Sequence, residues 1–335
     1  MGGGLMQLVA MGAQDVFLTG NPQITFFKVV YRRHTNFSKE CIVQDFNGTG
    51  ANLTCTLSRN GDLVQEIYLH GKTAASGITD DTTAQVVKTV EVEIGGQKID
   101  KHYGTWLNIY DELFETNHDY QAAMCAGGND TELFIPLRFW FNRNPGLALP
   151  LIALQYHEVK VLVELQDATK FLGADLLVNY VYLDTDERRR FAQVSHEYLI
   201  EQVQHTGVES LGTSGGSITL TYNHPVKALF WRGFAASETY KAKLQLNGHD
   251  RFSEQSEKYF HLVQPYESGL GHSKGLGATD NKWAASVGGT NNAGMYSFCL
   301  KPREHQPSGS CNFSRIDNAR LVISGTISST SLSVL

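Results

Sequence analysis

Residues 20–37, GNPQITFFKVVYRRHTNF, constrain the fold more tightly than any other stretch, because a turn signal, a strand with two apolar faces and a charged exit follow one another directly. Asn21-Pro22 ends any preceding helix and favours extended backbone after it. From Ile24 onward, Phe27, Val29 and Tyr31 fall on one strand face and Ile24, Phe26 and Val30 on the other. That pattern predicts a strand covered on both sides. Arg32, Arg33 and His34 then lead back to solvent or to a partner.

The rest of the chain repeats the theme of short strands between turns. Thirty-two glycines against eight prolines, with frequent Thr, Val, Tyr and Phe, favour an all-β chain over a helical bundle. Strand-like segments occur around 41–46, 52–58 and 63–69. The clearest hairpin is KTVEVEIGGQKIDKHYG, in which Val90, Val92 and Ile94 alternate with Glu91 and Glu93, and Gly95-Gly96 supplies the positive φ of a two-residue turn. After it, Trp106, Leu107, Tyr110, Leu113 and Phe114 stand at helical spacing, with Thr105 as expected N-cap. Residues 115–131 read as loop. Asn144-Pro145-Gly146 is a turn, and the apolar run 147–154 implies a strand buried on both sides.

A charged, polar stretch at 183–207, ending among Gly207, Gly212, Gly215 and Gly216, marks a connection between two domains. The organisation expected is an N-terminal arm at 1–23, a first β domain at 24–206, a linker at 207–216 and a shortened second β domain at 217–335. In the second domain SITLTYN, VKALFWRGF, KAKLQLNGHDRF, YFHLVQPY, MYSFCLK, NARLVISGTI and SLSVL read as strands, and residues 267–294 as a long Gly-rich loop. Two successive sets of seven or eight strands fit two tandem jelly-roll barrels, with short helices in loops, better than a propeller. Periodicity alone leaves two ordinary sandwiches open.

Little in the sequence points to chemistry. Five cysteines without close pairing indicate neither a disulfide framework nor a zinc site. The twelve histidines show no His-x-His or His-Glu-x-x-His spacing, and no Gly-x-Ser-x-Gly elbow occurs, so no catalytic residue, cofactor or metal is expected. The net charge of −6 argues against coating nucleic acid. No apolar run approaches the ~20 residues of a membrane span and no secretory signal opens the chain, which suggests synthesis in the cytosol. A carbohydrate-binding, lectin-like β protein, with 267–294 as ligand face, is the alternative from another class.

The run at 20–37 also resembles the N-terminal signature of major capsid proteins of nucleocytoplasmic large DNA viruses. The same family is resembled by EIGGQKIDKHYGTWL at 93–107, FWFNRNPGLALPLIALQYHEVKV at 139–161, LDTDERRRFAQVSHEYLIEQVQ at 183–204 and SFCLKPREHQPSGSCNFSRIDNARL at 297–321. The resemblance implies a double jelly roll without catalysis, forming homotrimeric pseudo-hexagonal capsomers in an icosahedral virion assembled in the host cytoplasm. Minor capsid proteins and proximity to an internal membrane come with it. Assembly candidates are Asn21, Pro22, Phe26, Phe27, Arg32 and Arg33 in the first run, Gly95 and Gly96, Asn144, Pro145 and Gly146, Arg188, Arg189 and Arg190, and Pro307 and Asn312. Since the family's subunits usually continue further, either residues 331–335 fill the last strand position in shortened form or the chain is a truncated gene product.

Overall fold

The computed structural model describes residues 2–335 apart from 49, 75–81, 116–123, 125–131, 235–238, 272–292 and 328–330. The chain falls into two compact units, Met1–Asn36 and Phe37–Leu335. The first unit holds two short helices, α1 (Gly3–Val9) and α2 (Val16–Thr19), neither with a buried residue. Residues 20–36 then run without strand. The doubly covered strand expected from Ile24 is therefore absent: Phe26 is 87% exposed and Phe27 97%. A strand exists by its ladder, and this segment has no ladder partner within the described residues of one chain.

The second unit is built from two sheet pairs of the same winding. The first pair comprises β1 (Phe37–Asp45), β2 (Asn52–Thr56), β3 (Leu63–Thr73), β4 (Val87–Ile94), β5 (Gln97–Tyr103), β6 (Glu132–Pro136), β7 (Val159–Leu165) and β8 (Phe171–Leu183). The second comprises β9 (Val208–Ser210), β10 (Gly215–Thr219), β11 (Ala228–Arg232), β12 (Thr239–Leu246), β13 (His249–Asp250), β14 (Gly294–Ser297), β15 (Ala319–Thr326) and β16 (Ser331–Val334). The first pair is ordered β1-β8-β3-β6 and β2-β7-β4-β5; the second is ordered β9-β16-β11-β14 and β10-β15-β12-β13. With four further two-residue strands left unnumbered (Leu149–Pro150, Pro225–Val226, Gln255–Ser256 and Cys311–Asn312), adding eight to each label of the first pair reproduces the second. This is the jelly-roll winding, twice, with every ladder antiparallel.

Sequence alternation builds each core. Along β7, Val159, Val161, Val163 and Leu165 point inward while the residues between them are half-exposed. They meet Val64, Ile67 and Leu69 of β3 and Leu176, Val178 and Tyr180 of β8 in one cluster. The second core gathers Leu229 and Trp231 of β11, Ala242 and Leu244 of β12, Leu321 and Ile323 of β15 and Leu332 and Val334 of β16.

Several local expectations need correcting. Residues 207–216 are not a free linker, because β9 and the start of β10 lie inside them. The crossing lies in the charged stretch 183–207 that the sequence marks as the connection, made of the helix α4 (Thr185–Gln193) and irregular backbone at 194–207. Residues 331–335 fill the last strand position: β16 pairs with β9 and with β11, and Leu335 exchanges two backbone hydrogen bonds with Phe230. YFHLVQPY is helical, with Tyr259–Val263 a π-helix running into Gln264–Glu267. Phe260, His261, Gln264 and Pro265 are its buried residues, which is helical spacing rather than alternation. In the run 147–154, Leu147, Leu149 and Leu151 are buried, yet only Leu149–Pro150 is strand. Pro150 lacks an N–H and its carbonyl accepts from Ala153 and Leu154, closing a turn. Most of the 115–131 loop lies outside the described residues.

Candidate functional site

The junction between the two sheet pairs is the most constructed part of the molecule. It begins with α3 (Gly104–Leu113), which follows directly on β5. Its N-cap is Tyr103, not Thr105, and no side chain caps it. Gly104 is required there, since a Cβ would sit 2.0 Å from the Val87 carbonyl oxygen. This close approach seats the start of α3 against the first pair at Val87 and Ala84, while aromatic side chains farther along reach the second pair. Trp106 and Phe114 meet Phe230 of β11 at centroid distances of 5.4 and 5.6 Å, edge-on and tilted. Such contacts add about 0.5–1.5 kcal/mol each beyond the area buried.

Charge reinforces this apolar seam. Glu112 of α3 accepts a hydrogen bond of 3.0 Å from Arg232 of β11, both side chains being buried. Further out, the crossing stretch is strapped down. Glu201 accepts from Arg143 at 2.7 Å and from Lys227 at 2.5 Å, so one carboxylate holds a cation from each sheet pair. Gln202 donates to the Ile99 carbonyl, and the Val203 N–H donates to Asp100 Oδ1. On the other side Gln204 exchanges two hydrogen bonds with the Asn223 backbone, and His205 Nδ1 donates to the Val334 carbonyl. A cavity of about 670 Å³ remains beside the strap, with Trp106, Phe230, Leu335, Arg143, Lys227 and Pro307 among its walls.

Each pair also holds a buried histidine, His261 in the second and His102 in the first. Trp231 Nε1 donates to Tyr240 Oη at 2.9 Å, Tyr240 Oη donates to His261 Nε2 at 3.0 Å, and His261 Nδ1 donates to the Ala293 carbonyl at 2.8 Å. Every group in this chain is satisfied with His261 neutral, and burial pushes its imidazole down to about 4. His102 is stacked on Phe139 at 4.4 Å, with Nε2 2.9 Å from Asp100 Oδ2. Burial also drives His102 toward the neutral form, against the pull of Asp100. Among the described residues no group of three or more His, Cys, Asp or Glu side chains is arranged to hold a metal ion.

The residues expected from sequence do not converge on one place. Asn21 (φ +50°), Pro22, Phe26, Phe27, Arg32 and Arg33 are all exposed in the first unit. Gly95 (φ +60°) and Gly96 (φ +79°) form the β4–β5 turn, and Gly95 N–H donates to Glu158 O at 2.9 Å. Asn144 Oδ1 accepts from Gly146 N, closing the Asn144-Pro145-Gly146 turn. Arg188 pairs with Asp62 at 3.0 Å, while Arg189 and Arg190 are exposed on α4. Pro307 lines the cavity, and Asn312 Oδ1 accepts from Ser314 N. Reading the sequence missed Glu112, Arg143, Glu201, Lys227 and Arg232, because nothing in a single sequence pairs residues 58 or 120 positions apart. The loop 267–294, the expected glycan face, lies mostly outside the described residues.

Comparison with known proteins agrees with this architecture. The family described as "Major capsid protein N-terminus" matches residues 25–184, and that described as "Large eukaryotic DNA virus major capsid protein" matches 187–239 and 232–331. The chain is 51% identical to the major capsid protein of Pyramimonas orientalis virus over 373 residues, covering 97% of this chain and 92% of that one. It is 43% identical to the major capsid protein of Paramecium bursaria Chlorella virus 1 over 397 residues, covering 96% and 87%. Among solved structures, the PBCV-1 virus capsid superposes with a TM-score of 0.79 at 34% identity, covering 92% of this chain and 95% of that one. The Faustovirus major capsid protein, at 11% identity and a TM-score of 0.74, shares the fold, covering 97% and 93%. Two jelly rolls of one winding, joined by a buried seam, define the class of double jelly-roll coat proteins. Within it, the chain belongs to the major capsid proteins of large eukaryotic DNA viruses and has a structural role in the virion.

Proposed function

We propose that three copies of this chain associate into a pseudo-hexagonal capsomer, and that capsomers tile an icosahedral shell. The observation that carries the reading is the repeated winding, β1-β8-β3-β6 with β2-β7-β4-β5 followed by its counterpart eight strands on. Three such chains around a threefold axis present six alike barrels, so a protein trimer fills a sixfold position in a lattice. The seam of Glu112, Arg232, Trp106, Phe114 and Phe230 supports this, because a lattice brick must hold the angle between its barrels.

In this reading the product is shape, with no enzymatic turnover and no direct contact with nucleic acid. Minor capsid proteins and an internal membrane are the neighbours of the shell, and assembly takes place in the host cytoplasm. Electron microscopy of the purified protein tests the proposal. Class averages with a six-lobed outline and threefold symmetry are expected; compact two-lobed particles at all concentrations would contradict it.

A further inference from the structure

We propose that residues 24–31 of one copy add as an extra strand along the outer edge of β1 in a neighbouring copy. The inference rests on the self-association proposed above and names the segment and surface that carry it. Ile24, Phe26, Phe27, Val29, Val30 and Tyr31 are 69–97% exposed. Soluble chains rarely leave so many large apolar side chains in water within eight residues. Their alternation puts apolar groups on both faces of an extended segment, which asks for a ladder partner rather than a helical groove or a lipid surface.

β1 offers that partner. It is an edge strand, paired with β8 on one side, and residues 38–45 have no strand on the other side among the described residues. Natural sheets blunt or cover such edges, since they template further pairing. Of the nine residues of β1 only Ile42 and Gln44 are partly covered, and Cys41 and Val43 are exposed on one face. Charge runs the same way. Residues 1–36 carry Lys28, Arg32 and Arg33 against Asp15, a net +2, which leaves −8 on residues 37–335 of a chain at −6. On β1 itself the exposed Glu40 and Asp45 outnumber the exposed Lys39, a net −1.

A second copy is favoured over folding back within one chain. The connection 32–36 reads RRHTN, with adjacent like charges and none of the Asn-Gly or Gly pairs that close tight hairpins. A membrane or nucleic acid is the weaker partner, because surface binding of that kind needs a larger basic cluster than three residues. Phe27 lies ten residues before β1, an extended reach of about 33 Å, enough to leave its own barrel.

The exposed Cys41 serves as reporter. Cysteines are introduced singly in the full chain as Phe26→Cys, Phe27→Cys, Val29→Cys and Val30→Cys. Each variant is oxidised with diamide, which accepts the two electrons and two protons of disulfide formation, and run on a non-reducing gel. The expected result is covalent dimers and trimers in variants of one parity, lost on reduction and lost with Cys41→Ser. In parallel, a Phe26→Asp/Phe27→Asp variant should keep its unfolding midpoint while the capsomer dissociates at concentrations tenfold or more higher. A wild-type trimer with no Cys41-dependent crosslink, or only an intramolecular one, overturns the strand addition and leaves the trimer standing. Arm-dependent sedimentation with anionic vesicles but no such crosslink overturns it in favour of a membrane. A wild-type chain monomeric at every concentration removes both proposals.

Discussion

Glu112 and Arg232, 120 residues apart in sequence, meet at 3.0 Å where α3 of the first jelly roll lies on β11 of the second, with both side chains almost wholly out of solvent. A buried pair of this kind is weak evidence for stability but a strong constraint on geometry, because only one approach of the barrels keeps both charges compensated.

Arg232→Met should therefore destabilise the chain by about 3–5 kcal/mol, since it breaks a buried charge pair that spans the seam. Adding Glu112→Leu should return most of that loss. Chemical unfolding monitored by fluorescence checks both, and a non-additivity under 0.5 kcal/mol would show the two residues to be uncoupled.

Gly95 and Gly96 both have positive φ, yet they differ in space. A Cβ on Gly95 would sit 2.6 Å from His157 Nδ1, whereas nothing lies within 4 Å of one on Gly96. Gly96→Ala is expected to cost about 1 kcal/mol of left-handed strain, and Gly95→Ala about 1 kcal/mol more because His157 must move as well. Calorimetric midpoints of the two variants, compared directly, decide this; equal midpoints would contradict the contact.

Acid should weaken the second jelly roll through His261. Its folded-state pKa, pushed down to about 4, lies below the ordinary 6.5, so its contribution is full above pH 6.5 and is lost as pH falls toward 4. The loss is on the order of 3 kcal/mol at pH 4. Denaturant midpoints measured from pH 7 to pH 4 should fall in the wild type and fall less in His261→Gln. Identical slopes would remove His261 from the account.

His70 should act in the opposite sense in the first jelly roll. Burial opposes its charge, but Glu132 at 2.7 Å and Asp175 at 2.8 Å outweigh that and raise its pKa. The stabilisation is present in full below pH 6.5 and fades as pH rises through the raised folded value. Replacing His70 by Gln should flatten the alkaline side of the stability profile and leave the acid side unchanged; an unaltered alkaline side would refute the assignment.

Much of the fold was legible because it is local. The period-2 alternation of β4 and β7, the Gly95-Gly96 turn and the helical spacing of Trp106, Tyr110 and Leu113 are properties of short windows. The misreadings have equally physical causes. Ile24 to Tyr31 carry the signature of a strand but find no ladder partner among the described residues, and a strand exists only by its ladder. Phe260 and His261 are neighbours that are both buried, which alternation cannot express and a helix can. Glu201, Arg143 and Lys227 look like ordinary surface charges until the strap brings them together. The repeat of winding left no repeat of residues, because topology constrains which strands pair and leaves the side chains that fill the two cores free to differ.

The central claim is that a rigid pair of equivalent jelly rolls assembles in threes. Native mass spectrometry of the purified protein measures this most directly, and the account predicts a dominant species of about 111 kDa, three times the 37.1 kDa chain. A dominant monomer, or an even-numbered oligomer with no trimer at any concentration, would contradict it.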